Sequence, residues 1–157
     1  DAYIVYKPHP DIEARLRLEG GDEGYVGKYC DEIVAGVAID ELFDVVDEVH
    51  VSTSLAGFEA LLRTKPVTCY GQPFYAGWGL TSDVSPIGRR TRRLTLDELV
   101  AGVLIEYPLY LSRDRKRLIS PEEAIMELAL WRQDAAGKSP WWQGIYRFFL
   151  RRIAGVR

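Results

Sequence analysis

The sequence predicts an α/β fold in which helices flank a mostly parallel sheet. Short runs rich in β-branched and aromatic residues alternate with helical patterns, as is typical of strands joined by crossover helices. Two capping boxes, TLDE at residues 95–98 and SPEE at residues 120–123, mark the starts of helices. Apolar residues make up 47% of the 157-residue chain, which is enough for the buried core of one domain.

The N-terminal residues predict a strand, a loop, a short helix and a second loop. AYIVY at residues 2–6 is rich in strand-forming residues and ends at KPHP, where the prolines indicate a loop. Residues 11–18 are expected to form a short helix. The four glycines of residues 19–28 indicate another loop.

The strand–helix alternation continues through the next segments. A short strand is expected within residues 33–39, followed by a helix over residues 39–46 with Asp40 as its N-cap. Residues 48–52 predict a strand and residues 54–63 a helix.

The second half of the chain is predicted to contain one strand, one long loop and two helices. Residues 67–70 follow Pro66 and predict a strand, and residues 71–93 form an irregular stretch. The two capping boxes then begin helices over residues 95–105 and over residues 120–134.

The C-terminal segment WWQGIYRFFLRRIAGVR predicts an amphipathic helix over residues 141–153. We therefore divide the chain into a domain of residues 1–140 and a terminal helix of residues 141–157. This helix is expected to pack against another part of the protein, and docking on an anionic lipid surface is the alternative.

Composition and charge argue against several classes of protein. The net charge of −3 disfavours a nucleic-acid module that relies on phosphate contacts. No apolar run approaches the roughly 20 residues of a membrane span, and no signal-peptide pattern opens the sequence. Cys30 and Cys69 form no disulfide framework, and Cys69, in the apolar run VTCY, is expected to be a buried, reduced thiol. No cluster of potential metal ligands stands out. Because the first residues already read as a strand and lack a Met, we expect a fragment of a longer protein.

Three unusual segments are expected at one edge of the sheet. KPHP follows the first strand, STS at residues 52–54 follows the strand over residues 48–52, and QPFYAGWG at residues 72–79 follows the strand over residues 67–70. Parallel sheets bind ligands beyond the carboxyl ends of their strands. The convergence of these segments therefore predicts a ligand site.

Three hydroxyl residues, Ser52, Thr53 and Ser54, lie where a strand becomes a helix. The unpaired N–H groups of a helix start and adjacent hydroxyls suit a phosphate, and Gly57 permits close approach of the backbone. Glu59, one turn further on, could accept hydrogen bonds from ribose hydroxyls. Ordinary helix capping and a solvated carboxylate are the alternatives.

The KPHP segment places a histidine between two prolines. Pro8 and Pro10 stiffen the loop around His9, and Lys7 adds a positive charge. A positioned imidazole can donate a hydrogen bond to a leaving phosphate or act as an acid. A surface turn with an exposed histidine is the alternative.

The segment GQPFYAGWGLT at residues 71–81 combines aromatic rings with glycines. Its rings could stack on a base or a sugar while its glycines let backbone approach a ligand; alternatively, the rings plug into the core. The candidate ligand contacts of this loop are Gly71, Gln72, Tyr75 and Trp78. In the RRTRR run that follows, Arg89 and Arg90 are candidate anion-binding residues, with a solvated basic run as the alternative.

Three stretches resemble the capsule polysaccharide biosynthesis family of retaining β-Kdo glycosyltransferases: KPHP, STSLAGFEALLRTKPVTCYGQPFYAGWGLT and RRTRRLTLDELVAGVLIEYPLY. Kdo is an acidic eight-carbon sugar, and the resemblance covers roughly residues 3–110. It implies a GT-B architecture of two Rossmann-like halves, in which this chain is the carboxyl, donor-binding half. CMP-Kdo would be the donor substrate, and no separate cofactor is implied.

The resemblance also implies roles for individual residues. His9 and Pro10 match the HP motif that contacts the donor phosphate, with His9 as the catalytic residue. Ser52, Thr53 and Ser54 match the phosphate-holding serine motif, and Glu59 would contact the ribose or the cytosine.

The partners implied by the resemblance lie partly outside this sequence. The acceptor would be a glycolipid, and the amino half that should hold it, together with the nucleophilic carboxylate, matches no segment here. We therefore expect the chain to bind donor without transferring sugar alone. Its expected location is the cytoplasm, with peripheral contact at the inner face of the inner membrane. The alternatives are a transferase with another CMP- or CDP-linked donor, and a non-catalytic domain that docks on capsule-assembly partners.

Overall fold

The computed structural model describes residues 2–9 and 23–135. Chain contacts divide the protein into two units: Asp40–Gln133 forms one, and the segments on either side of it form the other. Three predicted features lie outside the described residues, namely Pro10 and the helices over residues 11–18 and 141–153.

In the unit that contains the N-terminal segment, two short strands pair in parallel. Strand β1 (Val5–Tyr6) lies beside β2 (Glu32–Ile33), so the predicted first strand is confirmed in its last two residues. The predicted second strand begins one residue early and ends at Ile33. Gly36 then takes a φ of 73°, which turns the chain out of an extended path.

A four-residue helix, α1 (Glu23–Val26), replaces part of the loop predicted over residues 19–28. The hydroxyl of Tyr29 donates to the hydroxyl of Tyr25 over 2.6 Å, and their ring centroids lie 5.0 Å apart. Because this contact joins residues four positions apart, it favours a helical turn. The glycines of this segment had indicated a loop instead.

The larger unit contains a three-stranded parallel sheet with the order β3-β4-β5. Its elements follow in chain order as α2 (Ile39–Val45), β3 (Val49–Val51), α3 (Ala56–Leu62), β4 (Val67–Cys69) and β5 (Ser82–Asp83). The strand–helix–strand prediction for this segment is confirmed, although β5 lies within a stretch predicted to be irregular.

One predicted cap within this unit is wrong. Helix α2 begins at Ile39, so Asp40 is its second residue and lies in the first turn instead of at the N-cap. An acidic side chain is favourable there because the helix dipole places partial positive charge at that end.

Helix α3 packs against one face of the sheet, on strands β3 and β4. Val67 and Cys69 are 3% and 0% exposed, whereas Thr68 between them is half-buried. This alternation is expected where one face of a sheet is covered. Phe58 and Leu61 of α3 supply the opposing apolar surface, with exposures of 5% and 7%.

The predicted capping box at the next helix is confirmed. Helix α4 (Leu96–Ala101) starts after Thr95, whose hydroxyl accepts from the Glu98 amide over 3.2 Å while the Glu98 carboxylate accepts from the Thr95 amide over 2.7 Å. These bonds lower the pKa of Glu98 from its ordinary value. The helix then continues through a wider π-helical segment, Gly102–Glu106, to about the predicted end.

The second capping box also begins a helix, but a hairpin precedes it that the sequence did not predict. Strands β6 (Tyr110–Leu111) and β7 (Leu118–Ile119) pair in antiparallel fashion before α5 (Pro121–Ala135). The buried hydroxyl of Ser112 donates to the Glu127 carboxylate over 2.7 Å and thereby fastens the hairpin to the helix. That contact spans 15 residues, so local patterns carry no sign of it.

The α/β class with parallel strands is therefore confirmed. Within the ranges 2–9 and 23–135, no helix combines the length and the apolar character that crossing a membrane requires.

Candidate functional site

Two of the three predicted segments meet at the carboxyl ends of β3 and β4. The amide of Tyr70 donates to the Val51 carbonyl over 2.9 Å, and the amide of Gly71 donates to the Ser52 carbonyl over 3.2 Å. A Cβ atom at Gly71 would lie 2.8 Å from that carbonyl oxygen. Gly71 therefore permits a close approach, as predicted for a loop glycine, but the group that approaches it is the backbone carbonyl of Ser52, in the hydroxyl segment of residues 52–54.

The three hydroxyl residues are all exposed, and they differ in their hydrogen bonds. The Ser54 hydroxyl accepts from the amide of Ala56, the first residue of α3, over 3.2 Å. Ser52 and Thr53 are exposed, and within the described part of the chain their hydroxyls form no hydrogen bond. Ser52 and Thr53 are thus available to an anionic ligand at the rim of the sheet.

Tyr75 connects the loop of residues 71–81, the aromatic loop, to the start of α3. Its side chain is 0% exposed and its hydroxyl donates to the Ser54 carbonyl. Burial raises the pKa of Tyr75, so its hydroxyl stays protonated and remains a donor. The ring lies 5.1 Å from Phe74 in an edge-on arrangement and 6.3 Å from Phe58 in a stacked one, measured between centroids.

The predicted ligand-stacking role therefore does not hold for Tyr75, because its ring has no exposed surface. The same ring fills the space predicted to admit a phosphate at Gly57. A Cβ atom at Gly57 would lie 2.8 Å from Cζ of Tyr75. Because Gly57 has no side chain, the ring of Tyr75 can pack directly against the backbone of α3.

Arg90 is part of the internal framework of the loop. Its Nη1 donates to the Pro73 carbonyl over 2.7 Å and to the Ala76 carbonyl over 2.5 Å. Its guanidinium carbon lies 5.2 Å from the centre of the Trp78 ring, within the range of a cation–π contact. The predicted anion-binding role of Arg90 is therefore wrong for its Nη1, because that nitrogen already donates to two loop carbonyls. Arg89 next to it is exposed and stays a candidate.

Sequence reasoning missed Asp83, the second residue that organises the loop. Its carboxylate accepts from the Gly77 amide over 2.8 Å and from the Thr81 hydroxyl over 2.7 Å. Gly77 and Gly79 take φ values of 76° and 81°, a conformation that favours glycine. An Asp shortly after two glycines is a recognisable signal, since Asp commonly bonds to the backbone of nearby turns.

The remaining candidates of this unit lie along the loop and on α3. Gln72 is exposed and donates to the Pro86 carbonyl over 3.3 Å, while Trp78 is half-buried and donates to the Phe74 carbonyl over 2.8 Å. Phe74, whose ring is among those predicted to stack on a ligand, keeps 41% of its surface exposed. Glu59 lies in the first turn of α3 and is half-buried. Their contacts with a ligand stay predictions.

The third predicted segment belongs to the other unit. Lys7 and His9 follow β1, as predicted, with Lys7 half-buried, Pro8 buried and His9 exposed. The predicted meeting of His9 with the hydroxyl segment stays a prediction.

The sequence matches the family described as "Capsule polysaccharide biosynthesis protein" over residues 1–110. The chain belongs to this family. Its similarity to two curated members extends over most of its length. It is 48% identical to the capsule polysaccharide modification protein LipA of Neisseria meningitidis serogroup B over 124 residues, which are 79% of this chain and 18% of LipA. It is 45% identical to the lipopolysaccharide-processing protein LpsZ of Rhizobium meliloti over 83% of this chain and 30% of LpsZ.

Two solved structures are also similar. The β-Kdo 2,7 transferase of Thermosulfurimonas dismutans KpsC is 52% identical, with a TM-score of 0.74 over 84% of this chain and 41% of that one. The β-Kdo 2,4 transferase of Thermosulfurimonas dismutans KpsC is 32% identical, with a TM-score of 0.65 over 81% of this chain and 40% of that one. This chain therefore spans less than half of the length of each of these four relatives.

Proposed function

We propose that this chain is the donor-binding half of a GT-B glycosyltransferase that transfers Kdo from CMP-Kdo to a glycolipid acceptor in capsular polysaccharide biosynthesis. The observation that carries the proposal is the pair of exposed hydroxyls of Ser52 and Thr53 at the rim of a parallel sheet. Such rims are the common ligand sites of open α/β sheets. The 52% identity to a β-Kdo transferase supports Kdo as the sugar.

The hydroxyl pair would bind the donor phosphate by donating hydrogen bonds to its oxygens. Hydrogen bonds to a charged acceptor are stronger than neutral ones, and the positive end of α3 lies close by in the sequence. The loop of residues 71–81 would hold this segment in place through the Gly71–Ser52 and Tyr75–Ser54 bonds. Preorganised donors need no rearrangement when the ligand arrives.

His9 would stabilise the leaving CMP by donating a hydrogen bond to its phosphate. Retention through a covalent intermediate needs a carboxylate nucleophile as well. We place that nucleophile in the amino half, outside this chain. The chain alone should consequently bind CMP-Kdo without turning it over.

Calorimetric titration with CMP and with UMP tests the proposal. We expect binding of CMP that is at least several-fold tighter than binding of UMP, since the donor carries cytosine. The double substitution Ser52→Ala with Thr53→Val should weaken CMP binding about a hundredfold or more, because two hydrogen bonds to a charged group are lost, each worth about 1.5–3 kcal/mol. Ser82→Ala, at an exposed serine of β5, is the matched control and should bind CMP like the wild type.

Equal affinity for the two nucleotides would contradict a cytidylate site. Absence of binding to both would favour a non-catalytic domain that docks on capsule-assembly partners. If CMP binds but CMP-Kdo does so no better than a CDP-linked alditol, the donor assignment is wrong while the cytidylate site stands.

A further inference from the structure

A hydrogen-bonded array of side chains lies on the face of the sheet opposite α3. His50 of β3 and Thr68 of β4 are partners in the parallel register, between the more buried residues that face the helix. The Thr68 hydroxyl donates to Oε1 of Glu48 over 2.7 Å, and Nε2 of His50 lies 3.4 Å from the same oxygen. Nδ1 of His50 lies 3.0 Å from the hydroxyl of Tyr70, which ends the array.

The array orients the hydroxyl of Tyr70 through its contact with Nδ1 of His50. In the tautomer that carries its proton on Nε2, the nitrogen nearer to the Glu48 carboxylate, His50 has an acceptor at Nδ1. In that tautomer the Tyr70 hydroxyl donates to His50, and its oxygen keeps lone pairs for a further donor. The phenol is therefore oriented, with one bond made within the protein and acceptor capacity left over.

Tyr70 stands at the rim where the hydroxyl segment lies. It is the residue directly after β4, its amide is bonded to Val51, and its neighbour Gly71 is bonded to Ser52. The Tyr70 side chain nevertheless keeps 54% of its surface exposed. An exposed aromatic side chain with a fixed hydroxyl at a ligand rim suits a sugar, whose C–H face packs on the ring and whose hydroxyls donate to the oxygen.

We propose that Tyr70 contacts the sugar part of the nucleotide sugar, and that His50 and Glu48 are positioning residues that orient its hydroxyl. This inference rests on the proposed function, because it takes the phosphate of the same ligand to lie at Ser52 and Thr53. It adds a specificity-determining residue on the sheet itself, separate from the aromatic loop.

A purely structural role for the array gives a different result on substitution. Cross-strand pairs stabilise a sheet, so the loss of one would affect all ligands of the domain alike. A sugar contact affects only the ligand that carries the sugar. The ratio of the affinities for CMP-Kdo and CMP therefore separates the two roles.

The test is calorimetric titration of the 157-residue chain with freshly prepared CMP-Kdo and with CMP. Tyr70→Phe should lower the affinity for CMP-Kdo about threefold to tenfold, as for one lost hydrogen bond, and leave CMP affinity unchanged. His50→Ala should reproduce this selective loss. Tyr107→Phe, at a tyrosine that is 88% exposed in the same unit, is the control and should bind both ligands like the wild type.

Equal losses for both ligands, or no loss for either, would overturn the role of Tyr70 while CMP binding by the wild type kept the proposed function standing. A loss in Tyr70→Phe without one in His50→Ala would overturn the positioning role. A wild-type chain that binds neither ligand would overturn this inference together with the proposed function.

Discussion

The aromatic loop and the hydroxyl segment meet at the same rim, yet they use their polar groups in opposite ways. In and around the loop, the side chains of Tyr75, Arg90 and Asp83 bond to carbonyls, an amide and a hydroxyl of the protein itself. In the hydroxyl segment, Ser52 and Thr53 are exposed to solvent. The loop side chains therefore serve the structure, whereas the exposed hydroxyls are the ones that we propose as ligand contacts.

This division predicts that substitutions in the loop affect stability, whereas substitutions in the hydroxyl segment affect binding. Tyr75→Ala should have the largest effect. Removing a fully buried aromatic ring typically destabilises a protein by about 3–5 kcal/mol, and here it also removes the bond to Ser54. Urea unfolding followed by circular dichroism measures the change.

The control for this substitution is Tyr107→Ala, because Tyr107 is 88% exposed. Its free energy of unfolding should stay within about 0.5 kcal/mol of the wild-type value. Similar losses in both variants would mean that the burial of Tyr75 has no special part in stability.

Gly57→Ala should have the next largest effect. The added Cβ would lie 2.8 Å from Cζ of Tyr75, so the ring or the helix must move. Overpacking of this kind typically destabilises by about 1–3 kcal/mol. Gly102→Ala is the matched control, since a Cβ there meets nothing within 4 Å. That helical position should gain about 0.5–1 kcal/mol, as alanine is the better helix former. An equal change in unfolding free energy in the two variants, or a larger loss in Gly102→Ala than in Gly57→Ala, would contradict the packing described.

Arg90→Lys should have a smaller effect. An ammonium group cannot reproduce the planar guanidinium that reaches two loop carbonyls and stacks on Trp78. We expect a loss of about 1–2 kcal/mol in unfolding free energy. The indole fluorescence of Trp78 should also change, because the cation above it moves. Arg89→Lys at the exposed neighbour is the control, and a loss of stability equal to that of Arg90→Lys would refute the framework role of Arg90.

Substitution in the hydroxyl segment should change stability least. The pair Ser52→Ala and Thr53→Val removes two exposed hydroxyls that have no hydrogen bond within the described residues. The unfolding free energy should therefore stay within about 0.5 kcal/mol of the wild-type value. A larger loss in urea unfolding would show that these hydroxyls serve the fold and would remove the contrast with the loop.

Features that depend on neighbours in sequence were predictable. The capping boxes at Thr95 and Ser120 have their partners three residues away, and both begin helices at the expected positions. The alternation of strands with α2 and α3 likewise follows from local composition. The order of β3, β4 and β5 and the parallel pairing then agree with the predicted class.

Features that depend on distant contacts were not predictable. Tyr75 and Phe74 are adjacent aromatic residues, yet one is 0% exposed and the other 41%, because only Tyr75 faces the gap left by Gly57. In the sequence, nothing distinguishes Arg90 from its neighbour Arg89, because the carbonyls that Arg90 binds belong to residues more than ten positions away. The same holds for the array from Glu48 to Tyr70, whose members lie on or next to two different strands.

A crystal structure of the chain with CMP tests the central claim most directly. The account predicts that a phosphate oxygen lies within hydrogen-bonding distance of the hydroxyls of Ser52 and Thr53, with the loop of residues 71–81 unchanged. A phosphate bound at any other place, with those two hydroxyls left to solvent, would contradict it.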